Sequence, residues 1–227
     1  MIIMTTKGIK EALALTPVIR ELRLRRPDCR ICVDTTHPEV FENNIELDAV
    51  GEFVTFHKGE TYINLDAITE NVHIMDLYAR VVLGDTRITN RHIAVTLTVD
   101  ELAKGLSVVN GMSNVVAVNL DGELSQELRD GIIEEIGEWG YEAVFLDELE
   151  LPLRISLAVI QQSALYVGLD NDVSYMAMSS KVPMVMCYTK DDPELTRPFR
   201  RGLPFIALSG EVKPIDFTNA VAEVAAE

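Results

Sequence analysis

The 227-residue sequence contains no run of about 18 uncharged apolar residues, so no segment is expected to cross a membrane as a helix. Its start, MIIMTTKGIK, carries charge after the apolar residues, the reverse of a signal peptide, and a soluble cytoplasmic protein is expected. A G-x-G-x-x-G fingerprint is missing after the first strand-like run, where TTKGIKEA offers one glycine; hydride transfer on a dinucleotide is thereby discounted. Basic residues are outnumbered, 20 against 36 acidic ones, and a formal charge of −16 disfavours bulk nucleic-acid binding. Three cysteines and four scattered histidines give no second ligand pair at zinc spacing, so neither a metal nor another cofactor is expected. Cys29 and Cys32 form a C-x-x-C that opens the strand-like run CRICVDT, not a helix, and lack the helix N-terminus that activates such thiols.

Apolar residues make up 48% of the chain, enough for one large domain or two lobes of about 100 residues each. MIIMTT reads as a buried strand, residues 12–24 repeat at helical spacing, and CRICVDT returns to strand. Thr16-Pro17 is either an N-cap with proline at the first helical position or a kink one and a half turns in. HPEVFENN suggests a short helix, EFVTFH and TYINLD strands, and NVHIMDLYARVVLG an amphipathic helix stopped by Gly84. After a polar connector at 85–97, TVDELAKGL predicts a helix capped by Thr98 or Asp100. A second alternation follows: strands NVVAVNL, YEAVFLD, ALYVGL, VPMVMCY and PFIAL, with helices between them and a closing helix IDFTNAVAEVAAE.

Such alternation predicts an α/β protein of two lobes with parallel sheets, drawn here as 1–95 and 96–227, and a cleft between them. Ligands in open parallel sheets collect outside the carboxyl ends of strands, which singles out the loops after residues 6, 120, 147, 169 and 188. One of these is Asp170-Asn171-Asp172. Asn171 or Asp172 can cap the helix that follows, while Asp170, ending the strand, either accepts bonds from a neighbouring loop or touches a ligand. A pair of carboxylates holding Mg²⁺ is a further alternative, although two are only part of an octahedral shell. Of two arginine-rich stretches, RELRLRRPDCR is most simply a helix end opposing its dipole, and TRPFRRG supplies Arg197, Arg200 and Arg201. Tyr175 and Tyr188 are candidates for stacking on a base or sugar; Tyr166, within a strand, is expected to pack, and Trp139 to cover a sheet.

From Gly168 to Pro183 the chain resembles the signature G-N-D-[TS]-G-P-M-H-L-A-A-A-L-G-V-P of family 9 glycosyltransferases, the ADP-heptose:lipopolysaccharide heptosyltransferase family. Gly168, Asp170, Ala177, Val182 and Pro183 agree in register, and YTKDDPELTRPF is similar to the family's following loop. Near the other end EALALTPVIRELRLRRPDCRICV resembles the family's G-D-V-L-L-T-T-P-V-L-R-A-L-K-x-x-x-P.

The resemblance implies a GT-B-like architecture, with Rossmann-like lobes for acceptor (1–95) and nucleotide-sugar donor (96–227). It implies an inverting, metal-independent transfer of a sugar from a nucleoside diphosphate to a saccharide or other acceptor hydroxyl, with Glu11 as the base. A carboxylate near a helix start is the blander reading of Glu11. Departures are specific: the family's Thr-Gly pair is Asn171-Asp172, its His is Tyr175, its first Gly is Lys10, and no K-x-W-P follows the strand NVVAVNL. Donor and phosphate contacts are therefore expected from Lys7, Asp170, Asn171, Asp172, Ser174, Tyr175, Lys190, Arg197, Arg200 and Arg201. The alternative is a GT-B-like binding or scaffold protein without activity.

Overall fold

A computed structural model describes residues 1–51, 59–68, 70–120, 126–199, 202–210 and 212–226. The chain divides into two compact units, Met1–Thr96 with Glu194–Phe199, and Leu97–Pro193 with Arg200–Glu227. The boundary drawn at 95/96 leaves Glu194–Phe199 in the second unit; the structure assigns that short segment to the first.

Among the described residues, unit 1 holds four parallel strands, β1 (Ile2–Thr6), β2 (Ile31–Thr35), β3 (Ala49–Gly51) and β4 (Thr61–Asn64), in the order β3-β2-β1-β4. The predicted strand EFVTFH lies outside the described residues, and pairing with β2 begins earlier, at Ala49. β1 is buried at every position, as expected of an inner parallel strand covered on both faces.

Helix α1 (Ile9–Arg25) carries Pro17 in its interior, at the ninth helical residue, so Thr16 is not an N-cap. Proline has no N–H for the carbonyl of Leu13, and the Thr16 hydroxyl supplies the missing bond at 3.0 Å while accepting from the Ala94 N–H at 3.2 Å. That is why the pair is tolerated mid-helix. α1 also fixes the polar connector: Glu21 accepts from the Thr89 N–H at 2.9 Å, and Arg20 donates to the His92 carbonyl at 3.1 Å. Arg23 donates to the carbonyls of Glu46, Pro27 and Cys29 and to Asp48, and Arg25 to Glu21 and Asp85. Arg23 and Arg25 stand in the last turn of α1, as the helix-end reading expects. α2 (Ile74–Leu83) stops at Gly84, whose φ of 83° is the left-handed conformation glycine accepts without strain.

Unit 2 begins with α3 (Val99–Val108), started by a capping box in which Thr98 Oγ1 accepts from the Glu101 N–H and Glu101 accepts from the Thr98 N–H. Its sheet is β5 (Val115–Asn119), β6 (Glu142–Phe145), β7 (Leu165–Leu169), β8 (Met184–Tyr188) and β9 (Phe205–Ser209), all parallel, in the order β6-β5-β7-β8-β9. α4 (Gln126–Glu138) and α8 (Pro214–Ala226) meet one face through a core that includes Val118, Ile132, Val167, Val185 and Phe217. α5 (Leu153–Gln161) contributes Leu157, Ala158 and Ile160, all fully buried, and α6 (Asp172–Ala177) is buried from Ser174 onward. Met184 and Met186 are fully buried in β8, as their alternation predicts. Trp139 does not cover the sheet: it is 48% exposed, and its indole N–H donates to Glu135 one turn back. α7 (Pro193–Thr196) and two short 3-10 helices, Pro38–Val40 within the predicted HPEVFENN and Leu146–Glu148, complete the described helices.

Candidate functional site

Each sheet has one place where the chain reverses its direction of winding, and in open α/β sheets such a place is where ligands bind, beyond the carboxyl ends of the strands. In unit 2 it lies between β5 and β7, with β6 on one side and β8 and β9 on the other. Asn119 ends β5 and is buried. Its side-chain oxygen accepts from Asn171 Nδ2 at 2.5 Å, and Asn171 Oδ1 accepts from the Ser174 N–H at 3.1 Å. One amide thus bridges the two strand ends and caps α6.

The floor beneath is closed. Ser174 Oγ bonds the Tyr166 hydroxyl at 2.6 Å, both groups being inaccessible to solvent. A Cβ at Gly168 would sit 2.4 Å from the Tyr166 hydroxyl oxygen and 2.6 Å from Ser174 Oγ, so this pair leaves room for glycine alone.

Asp170, 5% exposed, accepts three bonds from the loop after β8: from Thr189 Oγ1 at 2.6 Å on one oxygen, and from the N–H groups of Lys190 at 2.6 Å and Asp191 at 2.9 Å on the other. Burial pushes its pKa up, but the Thr189 hydroxyl and the backbone N–H groups outweigh that and hold it below the usual carboxylate range. The same loop is held again at Asp191, which accepts from the Tyr175 hydroxyl. Burial, then the neighbouring Asp191, drives the Tyr175 pKa upward and keeps the phenol a donor. Above these contacts lies a pocket of about 420 Å³ lined by Asn119, Asp170, Asn171, Asp172, Val173 and Lys190. Cys187, nearby in β8, is a buried thiol pushed up to about 11 by burial and then by the Asp170 charge, hence unreactive at neutral pH.

In unit 1 the reversal falls between β1 and β4. The Lys7 N–H donates to Asp66 Oδ1 at 3.0 Å, the Lys7 carbonyl accepts from Thr36 at 2.7 Å, and Thr5 donates to the Tyr62 hydroxyl at 2.6 Å. These bonds tie the ends of β1, β2 and β4 together. Gly8 is the N-cap of α1, and Glu11 lies in the first helical turn. The Glu11 carboxylate folds back over Gly8 so closely that a Cβ there would stand 1.9 Å from its Oε2. It is 28% exposed and has Lys10 Nζ at 3.9 Å. Tyr78, buried in α2, has its pKa raised by burial and then by the charges of Glu11 and Asp66.

The architecture has close counterparts among solved structures. A glycosyl transferase family 9 protein from Veillonella parvula DSM 2008 superposes with a TM-score of 0.76 at 15% identity, over 98% of this chain and 90% of that one. The fold is that of the family 9 glycosyltransferases. E. coli ADP-heptose lps heptosyltransferase II matches with a TM-score of 0.73 at 8% identity (99% and 98% of the two chains), and E. coli heptosyltransferase WaaC with ADP at 0.69 and 9% (99% and 100%). No protein-family model and no curated sequence matches the chain. Two Rossmann-like units with parallel sheets, as the resemblance implied, are what the structure contains.

Against this glycosyltransferase frame the expected contact residues separate. Asp170, Asn171, Asp172 and Lys190 come together around one pocket. Each oxygen of Asp170 accepts from a protein donor, Ser174 is wholly buried with its hydroxyl bound to Tyr166, and Tyr175 is buried with its hydroxyl on Asp191. Tyr188 is likewise buried within β8, not presented for stacking.

Arg197 belongs to unit 1. It pairs with Glu194 at 3.0 Å, and its carbonyl accepts from His73 Nε2 at 2.9 Å, while His73 Nδ1 accepts from the Met75 N–H. Both bonds require neutral imidazole with the proton on Nε2, and burial lowers the His73 pKa accordingly. Phe199 packs on His73, and the Arg91 guanidinium lies 4.3 Å above its ring. Arg200 and Arg201 lie outside the described residues. Lys7 is exposed at the unit 1 rim with Glu11 two helical positions inside α1. Asn119 is the residue that sequence reasoning missed; the asparagine closing the apolar run VVAVN was its signal.

Proposed function

We propose that the protein transfers a glycosyl group from a nucleoside-diphosphate donor to an acceptor hydroxyl. The pocket of about 420 Å³ at the winding reversal of unit 2 carries this reading, since it combines hydrogen-bonding amides, a lysine and a location where α/β sheets bind nucleotides. The solved relatives of this fold support it: one is described as an ADP-heptose heptosyltransferase and another was crystallised with ADP.

In this reaction the acceptor oxygen forms a bond to the anomeric carbon as the bond from that carbon to the diphosphate oxygen breaks. The diphosphate leaves with the electron pair, and the acceptor proton passes to Glu11. Direct displacement inverts the anomeric centre and needs no metal. Lys190 offsets the charge of the departing diphosphate, with Asn119 and Asn171 as hydrogen-bonding partners. Glu11 suits proton removal because its carboxylate is accessible and fixed by its fold over Gly8.

One feature favours a second reading, a binding protein without turnover: Asp172 is exposed at the pocket, and of the six lining residues only Lys190 is basic. Incubation with a panel of ADP-, UDP- and GDP-sugars, following release of free nucleoside diphosphate, separates the two. Release that disappears in Glu11→Gln, with nucleotide affinity retained, is the expected result. Nucleotide binding without any release from the wild type selects the second reading.

A further inference from the structure

We infer that Asp170 is a positioning residue for the donor: its carboxylate fixes the backbone of Thr189–Asp191 so that Lys190 is presented to the diphosphate of a nucleotide-linked substrate. The inference rests on the reading of the β5/β7 pocket as the donor site. Its basis is the division of labour between two neighbours. Asp170 lines the pocket, yet each of its oxygens is already engaged by a donor of the loop, 2.6 to 2.9 Å away. Lys190 shares the pocket, and its own N–H is one of those donors. The loop is fixed a second time where the Tyr175 hydroxyl donates to Asp191. A lysine on a four-carbon stem loses much conformational freedom on binding an anion, and a fixed backbone removes part of that cost in advance.

The clamp is strongest with a carboxylate. Two backbone N–H groups converge on one oxygen and a hydroxyl donates to the other. Asp170→Asn keeps the volume and can turn its oxygen to the two N–H groups, but the uncharged amide is a weaker acceptor and its NH₂ requires the Thr189 hydroxyl to turn round, so the clamp is loosened; Asp170→Ala removes every acceptor and releases it. Thr189→Val removes only the hydroxyl bond at an exposed position and leaves the fold intact.

Calorimetric titration with ADP, UDP and GDP is made on the wild type, Asp170→Ala, Thr189→Val, Lys190→Ala and the two double variants with Lys190→Ala. Lys190→Ala is expected to weaken the best-bound nucleotide about tenfold or more, the scale of one charge-assisted contact. Asp170→Ala should approach that loss and Thr189→Val should show a smaller one. In the Lys190→Ala background neither should add a further loss, because the group they position is gone. Losses that multiply in the double variants show Asp170 touching the ligand itself and overturn the proposal, as does full affinity in Asp170→Ala.

Backbone amide exchange at Lys190 and Asp191, without nucleotide, supplies a second readout. Slow exchange in the wild type and fast exchange in Asp170→Ala is expected; equal rates overturn the clamp. A wild type silent to all three nucleotides at millimolar concentration, with the exchange difference present, refutes the donor-site reading and with it the role assigned to Lys190.

Discussion

At the winding reversal of unit 1, Glu11 lies in the first turn of α1 with its carboxylate 28% exposed and a lysine ammonium 3.9 Å away. At that of unit 2, Asp170 is 5% exposed and has three donors within 2.9 Å. Both acids sit at the carboxyl edge of a parallel sheet, where ligands gather. Two acids at like places in their sheets thus differ in how far folding has used their hydrogen-bonding capacity: Asp170 has given most of its own to a loop, whereas the Glu11 carboxylate stays accessible, which is why the base of the proposed transfer is assigned to Glu11.

The sharpest way to break this contrast is to neutralise each acid. Glu11→Gln is expected to lower turnover of a nucleotide sugar by a factor on the order of 10² or more, the usual contribution of a general base, with the melting temperature unchanged. Asp170→Ala should do the opposite first: it leaves the N–H groups of Lys190 and Asp191 and the Thr189 hydroxyl without their acceptor and should cost about 2–4 kcal/mol in urea unfolding. A stable Asp170→Ala variant would erase the distinction.

Gly8→Ala sharpens the comparison from the other side. Gly8 has φ −85° and ψ 150°, a conformation alanine adopts freely, so the substitution strains no backbone. Its methyl group displaces the Glu11 carboxylate, and turnover is expected to fall about tenfold with nucleotide affinity unchanged. Retained turnover would mean that the position of Glu11 over Gly8 does not matter.

The smallest effect concerns pH. Arg154 bonds Glu101 and holds its pKa to about 2, below its ordinary 4.5. A carboxylate whose pKa is depressed by folding stabilises the native state above the unfolded value, and that stability is lost as pH falls from about 4.5 toward 2. Asp170 adds to the same acid limb, since its pKa too lies below the ordinary 3.8. Glu101→Gln should flatten stability between those limits while lowering it at neutral pH; an unchanged acid limb contradicts the assignment.

Periodicity and caps made most of the fold legible. The alternation of strand and helix gave both parallel sheets, Gly84 marked the end of α2, and Thr98 with Glu101 marked the start of α3, because each rests on contacts within a few residues. Thr16-Pro17 stayed ambiguous since the bond that rescues the helix comes from a side-chain hydroxyl whose other partner, Ala94, is 78 residues away. The site was legible as a neighbourhood, not as roles. Nothing local says that Asp170 is filled by donors 19 to 21 residues later, or that Ser174 turns toward Tyr166 across Gly168. Segment Glu194–Phe199 read as part of the second lobe because its attachment to unit 1 depends on His73, 124 residues from Arg197.

Hydrogen–deuterium exchange of the whole chain with and without saturating ADP, UDP or GDP tests the central claim, that the crevice between β5 and β7 is built to hold a nucleoside diphosphate. Slower exchange confined in unit 2 to the backbone around Asn119, Asn171–Val173 and Thr189–Asp191 is the expected result. Protection centred instead on the opposite edge of that sheet, where Leu106, Met112, Gln162 and Ser163 line a second hollow of about 410 Å³, would contradict it, as would no protection with any of the three.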